Sequence, residues 1–173
     1  LRETVEADIE YQLEHAYELD QEDGGDDLFG EEAEVRSELV KAVRREDGDK
    51  SWEEKFDQYV MGVGYTIINR LTALRCMEVR GFIERPVTQF GDSGTTPAAE
   101  KLETEEFLSP EDALIEAYNR ECARLSDEIE ILFDRSTAYS LIDPDDDTFE
   151  ELSGMLDEVP DEVWRADDVL GWV

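Results

Sequence analysis

The chain has 173 residues, enough for one domain or one piece of a larger one. Apolar residues make up 40 %, which suits a modest core, and no run of about 18 uninterrupted apolar residues is present to span a bilayer. Against 48 acidic residues stand 16 basic ones, a net charge of −32.

Two readings of that charge compete. One is disorder or mimicry of a nucleic acid, because dense carboxylates repel one another and imitate phosphates. The other is a folded protein adapted to molar salt, where the Debye length is ~3 Å and self-repulsion is screened. Lysine use favours the second: only Lys41, Lys50, Lys55 and Lys101 occur, and arginine supplies the other positive charges. Acidic residues punctuate every apolar stripe instead of forming a tail, and aromatic residues run throughout. The expectation is a cytoplasmic protein of an extreme halophile. No basic-then-apolar run opens the sequence, so no secretory leader is expected. It does not begin with Met, and "DDVLGWV" ends it within an apolar pattern, so a fragment of a longer protein is expected. Cys76, Cys122 and His15 are the only residues of their kinds. They build no zinc spacing, and read as two core thiols and one surface imidazole.

Val5, Ile9, Leu13, Ala16 and Leu19 recur at helical spacing and predict a first helix, closed by the acidic loop "DQEDGGDD". Val35, Leu39, Ala42 and Val43 mark a second. Ser51 and Glu54 form a capping-box pair that opens a third. Its stripe of Phe56, Val60, Val63, Ile67, Leu71, Leu74 and Met77 spans roughly 30 residues and predicts a long central helix. Gly62 and Gly64 lie within it. Without a preceding strand or a Gly-Lys-Ser/Thr they form no phosphate loop, and close approach of another helix explains them better.

Residues 84–108, with Pro86, Gly91, Gly94 and Pro97, read as a loop excursion. Ser109 and Pro110 start a fourth helix, whose stripe runs from Leu114 through Ile129 to Leu132. In "DPDDDTFEE", Asp143, Asp145 and Asp147 resemble half of a calcium loop. Thr148 stands where the turn glycine belongs, so a helix start capped by Asp147 and Glu150 is expected instead. A last helix begins near Pro160 and carries Val163, Trp164, Val169, Leu170 and Trp172. No strand or repeat is evident. The predicted fold is all-α, an irregular bundle around one long helix. The expected partition is 1–50 for N-terminal helices, 51–83 for the long helix, 84–108 for the excursion and 109–173 for C-terminal helices.

The long helix ends in "NRLTALRCMEVRGF". Arg75 and Glu78 lie one turn apart and close to the buried stripe. They can neutralise each other, and arginine's planar fork can bond a second acceptor. Both are expected to be buried, paired with each other or with the fourth helix. Asn69 and Arg70 could tie the carbonyls of a neighbouring helix. A register-fixing polar cluster and a contact to nucleic acid or an adjoining domain are both open on these residues.

"GYTIINRLTALRCMEVRGFI" resembles the N-terminal hallmark of PglX-type adenine-specific DNA methyltransferases, a helix of the pattern AYTWFNRL-x-ALR-x-ME-x-xG. Tyr65, Thr66, Asn69, Arg70, Leu71, Ala73, Leu74, Arg75, Met77, Glu78 and Gly81 match it, while Ile67 and Ile68 replace Trp and Phe. "VWRADDVLGWV" resembles a later segment of the same family through Trp164, Asp167, Asp168, Leu170, Gly171 and Trp172. The likeness runs in order over most of residues 52–173 and is closest to versions from salt-loving archaea.

It implies a bacteriophage-exclusion (BREX) defence enzyme that methylates the exocyclic amine of adenine with S-adenosylmethionine. The family's Asn-Pro-Pro-Tyr motif and Gly-rich cofactor loop are not found here, since every proline is isolated. Catalytic, cofactor-binding and metal-binding residues are therefore expected downstream of Val173, and none is assigned within the chain. The implied partners are DNA through the full-length protein, the downstream methyltransferase domain and other defence proteins, with no membrane. Three functions stand: the helical N-terminal region of that methyltransferase, bracing the catalytic domain or positioning DNA; a non-enzymatic interaction module; and an acidic DNA mimic.

Overall fold

A computed structural model of the chain describes residues 1–166, and every regular element among them is helical. The elements are α1 (Arg2–His15), α2 (Glu31–Arg44), α3 (Trp52–Val79), α4 (Pro97–Glu106), α5 (Pro110–Ser126), α6 (Glu130–Phe133), α7 (Asp146–Asp157) and α8 (Asp161–Trp164), with a 3-10 turn at Ala138–Ser140. They form two compact units. The N-terminal unit holds residues 2–67 and 135–144; the C-terminal unit holds 68–134 and the described residues from Asp145 onward. The long helix α3 contributes to both.

In the N-terminal unit, Val5, Ile9 and Leu13 of α1, Leu39 and Val43 of α2, and Tyr59 and Val63 of α3 are buried together. The apolar stripe of α1 outlasts its helix. Glu18 adopts the left-handed conformation (φ 49°), and the amide of Leu19 donates to the carbonyl of Leu13 at 2.9 Å. Leu19 is thus buried outside the helix that its spacing had suggested. The Arg36 guanidinium gathers the acidic loop that follows, donating to the carbonyls of Tyr17 at 2.8 Å and Gln21 at 2.9 Å. The capping box at α3 is present: the Glu54 amide donates to Ser51 Oγ at 3.3 Å, and the Ser51 amide to Glu54 Oε2 at 2.9 Å.

The two helix glycines have different reasons. A Cβ on Gly64 would lie 3.0 Å from Glu6 Cγ of α1, a helix approaching closely, as expected. At Gly62 the neighbour is a side chain: a Cβ would lie 2.4 Å from Cε1 of Tyr139, in the 3-10 turn. That ring is fixed at its far end, where Tyr139 Oη donates to Glu46 at 2.7 Å, and beside it Tyr59 Oη donates to the Ala138 carbonyl at 2.8 Å. Burial and the Glu46 carboxylate push the Tyr139 phenol up to about 12.

The C-terminal unit departs from the sequence pattern in three places. The excursion is not all loop, because α4 forms within it, capped by Thr96 with Pro97 at its first position. The helix after Ser109 stops at Ser126, six residues short of Leu132. Ser126 Oγ turns back to the Ala123 carbonyl at 2.7 Å, a competing bond that favours helix ends. Ile131 of the short α6 is consequently 100 % exposed, while Phe133 is buried. Finally, α7 is capped by Asp145, not Asp147: Asp145 has extended backbone after Pro144, and its carboxylate accepts from the Thr148 amide at 2.7 Å. Asp147 falls in the first turn, where its charge suits the helix dipole. The core packs Tyr118 of α5 edge-on against Phe149 of α7, with centroids 5.4 Å apart. Cys76 and Cys122 are free and buried, and His15 is exposed and stacked on Tyr11. Val169, Leu170 and Trp172 of the expected last helix lie outside the described residues.

Candidate functional site: the buried charges of helix α3

Helix α3 is buried at every position from Arg70 to Cys76, so neighbours cover it on all sides within the C-terminal unit. Polar groups placed there must find partners inside the protein, since an unpaired one costs several kcal/mol (roughly 2–7).

Arg70 is 2 % exposed. Its Nε donates to the Leu132 carbonyl at 2.9 Å and its Nη2 to the Asp134 carbonyl at 2.7 Å. These carbonyls lie at the C-terminal end of α6, where helix geometry leaves acceptors unfilled. Arg75 is as deeply buried, with Nη1 3.8 Å from Glu78 Oε2. Its Nη2 bonds to Asp157, the last residue of α7. Its partner helix is therefore α7 and not the helix after Ser109. Nε and Nη1 of Arg75 have no hydrogen-bond acceptor among the described residues.

Glu78 is buried and holds the chain beyond the helix. The Val87 amide at 2.7 Å and the Thr88 amide at 2.9 Å both donate to its Oε1, and the Thr88 hydroxyl donates to Oε2 at 2.6 Å. Burial pushes the carboxyl above its ordinary value, opposed by the Thr88 hydroxyl, the two amides and the charge of Arg75. Two residues further, just past the end of the helix, Arg80 donates from Nε to the Trp164 carbonyl at 3.1 Å and from Nη2 to the Ala166 carbonyl at 2.6 Å. Trp164 is buried, and its indole donates to the Val159 carbonyl at 3.1 Å.

Not every motif residue joins this cluster. Tyr65 and Asn69 are exposed, and the Arg2 guanidinium lies 5.3 Å from the Tyr65 ring centroid. Asp167, Asp168 and Trp172 lie outside the described residues. Thr88 and Asp157 are partners that the sequence did not mark: each is distant in the chain, and neither sits in a spacing that predicts the contact.

Chemically, the bonds of the cluster hold distant segments together. Both Glu78 oxygens are committed to donors, the two buried arginines face carbonyls or carboxylates, and the nearby thiol of Cys76 is directed at the Trp164 carbonyl at 3.6 Å. These residues define a helical scaffold whose charged side chains join distant segments. No family model matches the chain, and no solved structure matches it. It is similar to part of the adenine-specific methyltransferase BrxX of Escherichia coli O9:H4 (strain HS), with 30 % identity over 161 residues. The match covers 80 % of this chain and 13 % of that protein, so the chain spans only a small part of its relative's length. Among the described residues no helix is long and apolar enough to cross a membrane.

Proposed function

We propose that residues 1–173 are the N-terminal helical region of a site-specific adenine methyltransferase of the PglX type, acting in bacteriophage exclusion. The observation that carries this reading is the similarity to BrxX over 80 % of the chain. The inward bonding of Arg70, Arg75 and Glu78 supports a bracing role for the motif over direct contact with bases. Residues 109–173 then lead into the catalytic domain, and DNA, cytoplasmic location and other defence proteins belong to the full-length enzyme.

The methyl donor S-adenosylmethionine belongs to that enzyme too. The described residues contain no strand, hence no strand–glycine loop–helix to cradle a nucleoside. They do not fit the donor, and no chemical step is assigned to them. Transfer to an exocyclic amine also needs a pocket for the flipped base.

The test has two arms. The coding sequence after Val173 should contain an Asn-Pro-Pro-Tyr motif, and the full-length protein should methylate adenine in duplex DNA. Residues 1–173 alone should neither bind S-adenosylmethionine by calorimetry nor methylate. Binding or turnover by these residues alone would overturn the assignment. The net charge of −32 further suits adaptation to molar salt, and helical circular dichroism should rise through a potassium chloride titration.

A further inference from the structure

The end of α3 holds an exposed aromatic ring on a fixed backbone. Gly81 is left-handed (φ 77°), its amide donates to the Glu78 carbonyl at 2.9 Å, and the Phe82 amide donates to the Met77 carbonyl at 2.9 Å. This double closure is a Schellman turn, in which the residue after the glycine ordinarily packs back on the helix. Phe82 instead remains 69 % exposed. The same loop is held at its other end by the grip of Glu78 on Val87 and Thr88. Residues 82–88 are therefore pinned at both ends and present Phe82 without further ordering.

Beside this loop lies a groove of about 540 Å³ in the C-terminal unit. Its floor is apolar, made of the buried side chains of Ile83, Val87, Leu102 and Ala117. Its rim carries Arg85, Lys101, Arg120 and Arg124, four of the 16 basic residues in the chain. Three of these have carboxylate partners: Lys101 has Glu105, Arg120 has Glu106 and Glu116, and Arg124 has Glu121. Exposed Arg85 has none among the described residues, in a chain with 48 acidic residues to 16 basic ones. An arginine left unpaired amid such an excess of carboxylate, next to an exposed phenylalanine and an apolar groove, has the make-up of an interface hot spot.

We infer that this groove docks a protein segment whose apolar side chains are flanked by carboxylates. Charge complementarity selects that occupant: a flanking acid meets Arg85, the rim cation with no carboxylate partner among the described residues, and the apolar residues meet Phe82 and the floor. A nucleic acid is disfavoured, because affinity for a phosphate backbone needs several cations at once and Arg85 alone on this rim has no carboxylate partner among the described residues, enough for one carboxylate but not for a run of phosphates. This site goes beyond the methyltransferase assignment and stands or falls independently of it.

The experiment uses the full-length chain and two synthetic helical peptides with identical leucine positions, one flanked by glutamates and the other by lysines. Fluorescence anisotropy is read at the lowest salt that keeps the protein helical. The glutamate peptide should bind at least about tenfold more tightly than the lysine peptide. Arg85→Glu should reverse that preference, and Phe82→Ala should weaken the glutamate peptide about tenfold. Phe29→Ala, at an exposed phenylalanine of the N-terminal unit, should change nothing. Both groove substitutions are at exposed positions, and circular dichroism checks that the fold is kept. Failure of both peptides to bind, equal binding, indifference to Arg85→Glu, or displacement by a short DNA duplex would each overturn the proposal.

Discussion

Arg70 and Arg75 occupy the same helix at the same 2 % exposure, yet the hydrogen bonds that reach them differ in kind. Arg70 bonds to main-chain carbonyls at the end of α6, acceptors that neither titrate nor swing away. Arg75 faces carboxylates, one buried on its own helix and one on α7 whose side chain is 38 % exposed. It also leaves Nε and Nη1 without hydrogen-bond acceptors among the described residues. The lesson is that burial alone does not make a charged residue rigid. A guanidinium bound to carbonyls is a fixed latch, whereas one bound to carboxylates depends on pH, salt and its neighbours.

The comparison breaks most decisively at Glu78. Glu78→Ala removes the acceptor of three donors and the nearest buried counter-charge of Arg75. Loss of one partner from a buried pair costs ~3–5 kcal/mol, read from chemical unfolding. A variant melting within about a degree of the parent would show the cluster to be superficial.

Next come the paired lysine substitutions. Arg70→Lys replaces a fork spanning two carbonyls by a single ammonium and should cost ~2 kcal/mol. Arg75→Lys keeps a point charge near two carboxylates and should cost ~1 kcal/mol. Equal losses in thermal melts would erase the distinction between the two arginines.

Glu78→Gln sharpens the electrostatic side. The amide oxygen can keep the Val87 and Thr88 amides, and the Thr88 hydroxyl can turn to accept, so the loss near neutral pH should be ~1 kcal/mol or less. The folded-state pKa of Glu78 is raised above 4.5, so its contribution is fully present below about that value. It is lost as pH rises through the folded value. The parent should therefore gain on Glu78→Gln as pH falls, and a melting difference that shrinks on acidification would contradict this.

The smallest effect is expected for Asp157→Asn. Its partner is buried but its own side chain is partly exposed, so ~0–1 kcal/mol is expected, vanishing in molar salt. A salt-independent loss would place Asp157 with the fixed latches.

Much of this architecture is readable residue by residue. The alternating three- and four-residue spacing from Phe56 to Met77 marks α3, and local chemistry marks its Ser51–Glu54 cap and the Ser109 start of α5. Local rules mislead where two neighbouring residues offer the same chemistry. Asp145 and Asp147 can both cap a helix, and the extended backbone of Asp145, whose carboxylate accepts from the Thr148 amide, makes it the cap. The stripe to Leu132 continues past a break, because apolar spacing does not register the return bond of Ser126. The likeness that led to the candidate site selects Arg70, Arg75 and Glu78, but the same motif includes Tyr65 and Asn69, which face solvent.

The sequence by itself determined the all-α class, the long helix and the demand that Arg75 and Glu78 be neutralised, because helical periodicity and charge on an apolar face are local properties. Only the tertiary structure decided who answers that demand. Thr88 is ten residues from Glu78, Leu132 is 62 from Arg70 and Asp157 is 82 from Arg75. A carbonyl acceptor exists at every residue, and carboxylates outnumber cations threefold along this chain, so composition offers many equivalent partners. Packing brings particular ones within bonding distance: the Leu132 and Asp134 carbonyls at Arg70, and the Asp157 carboxylate at Arg75.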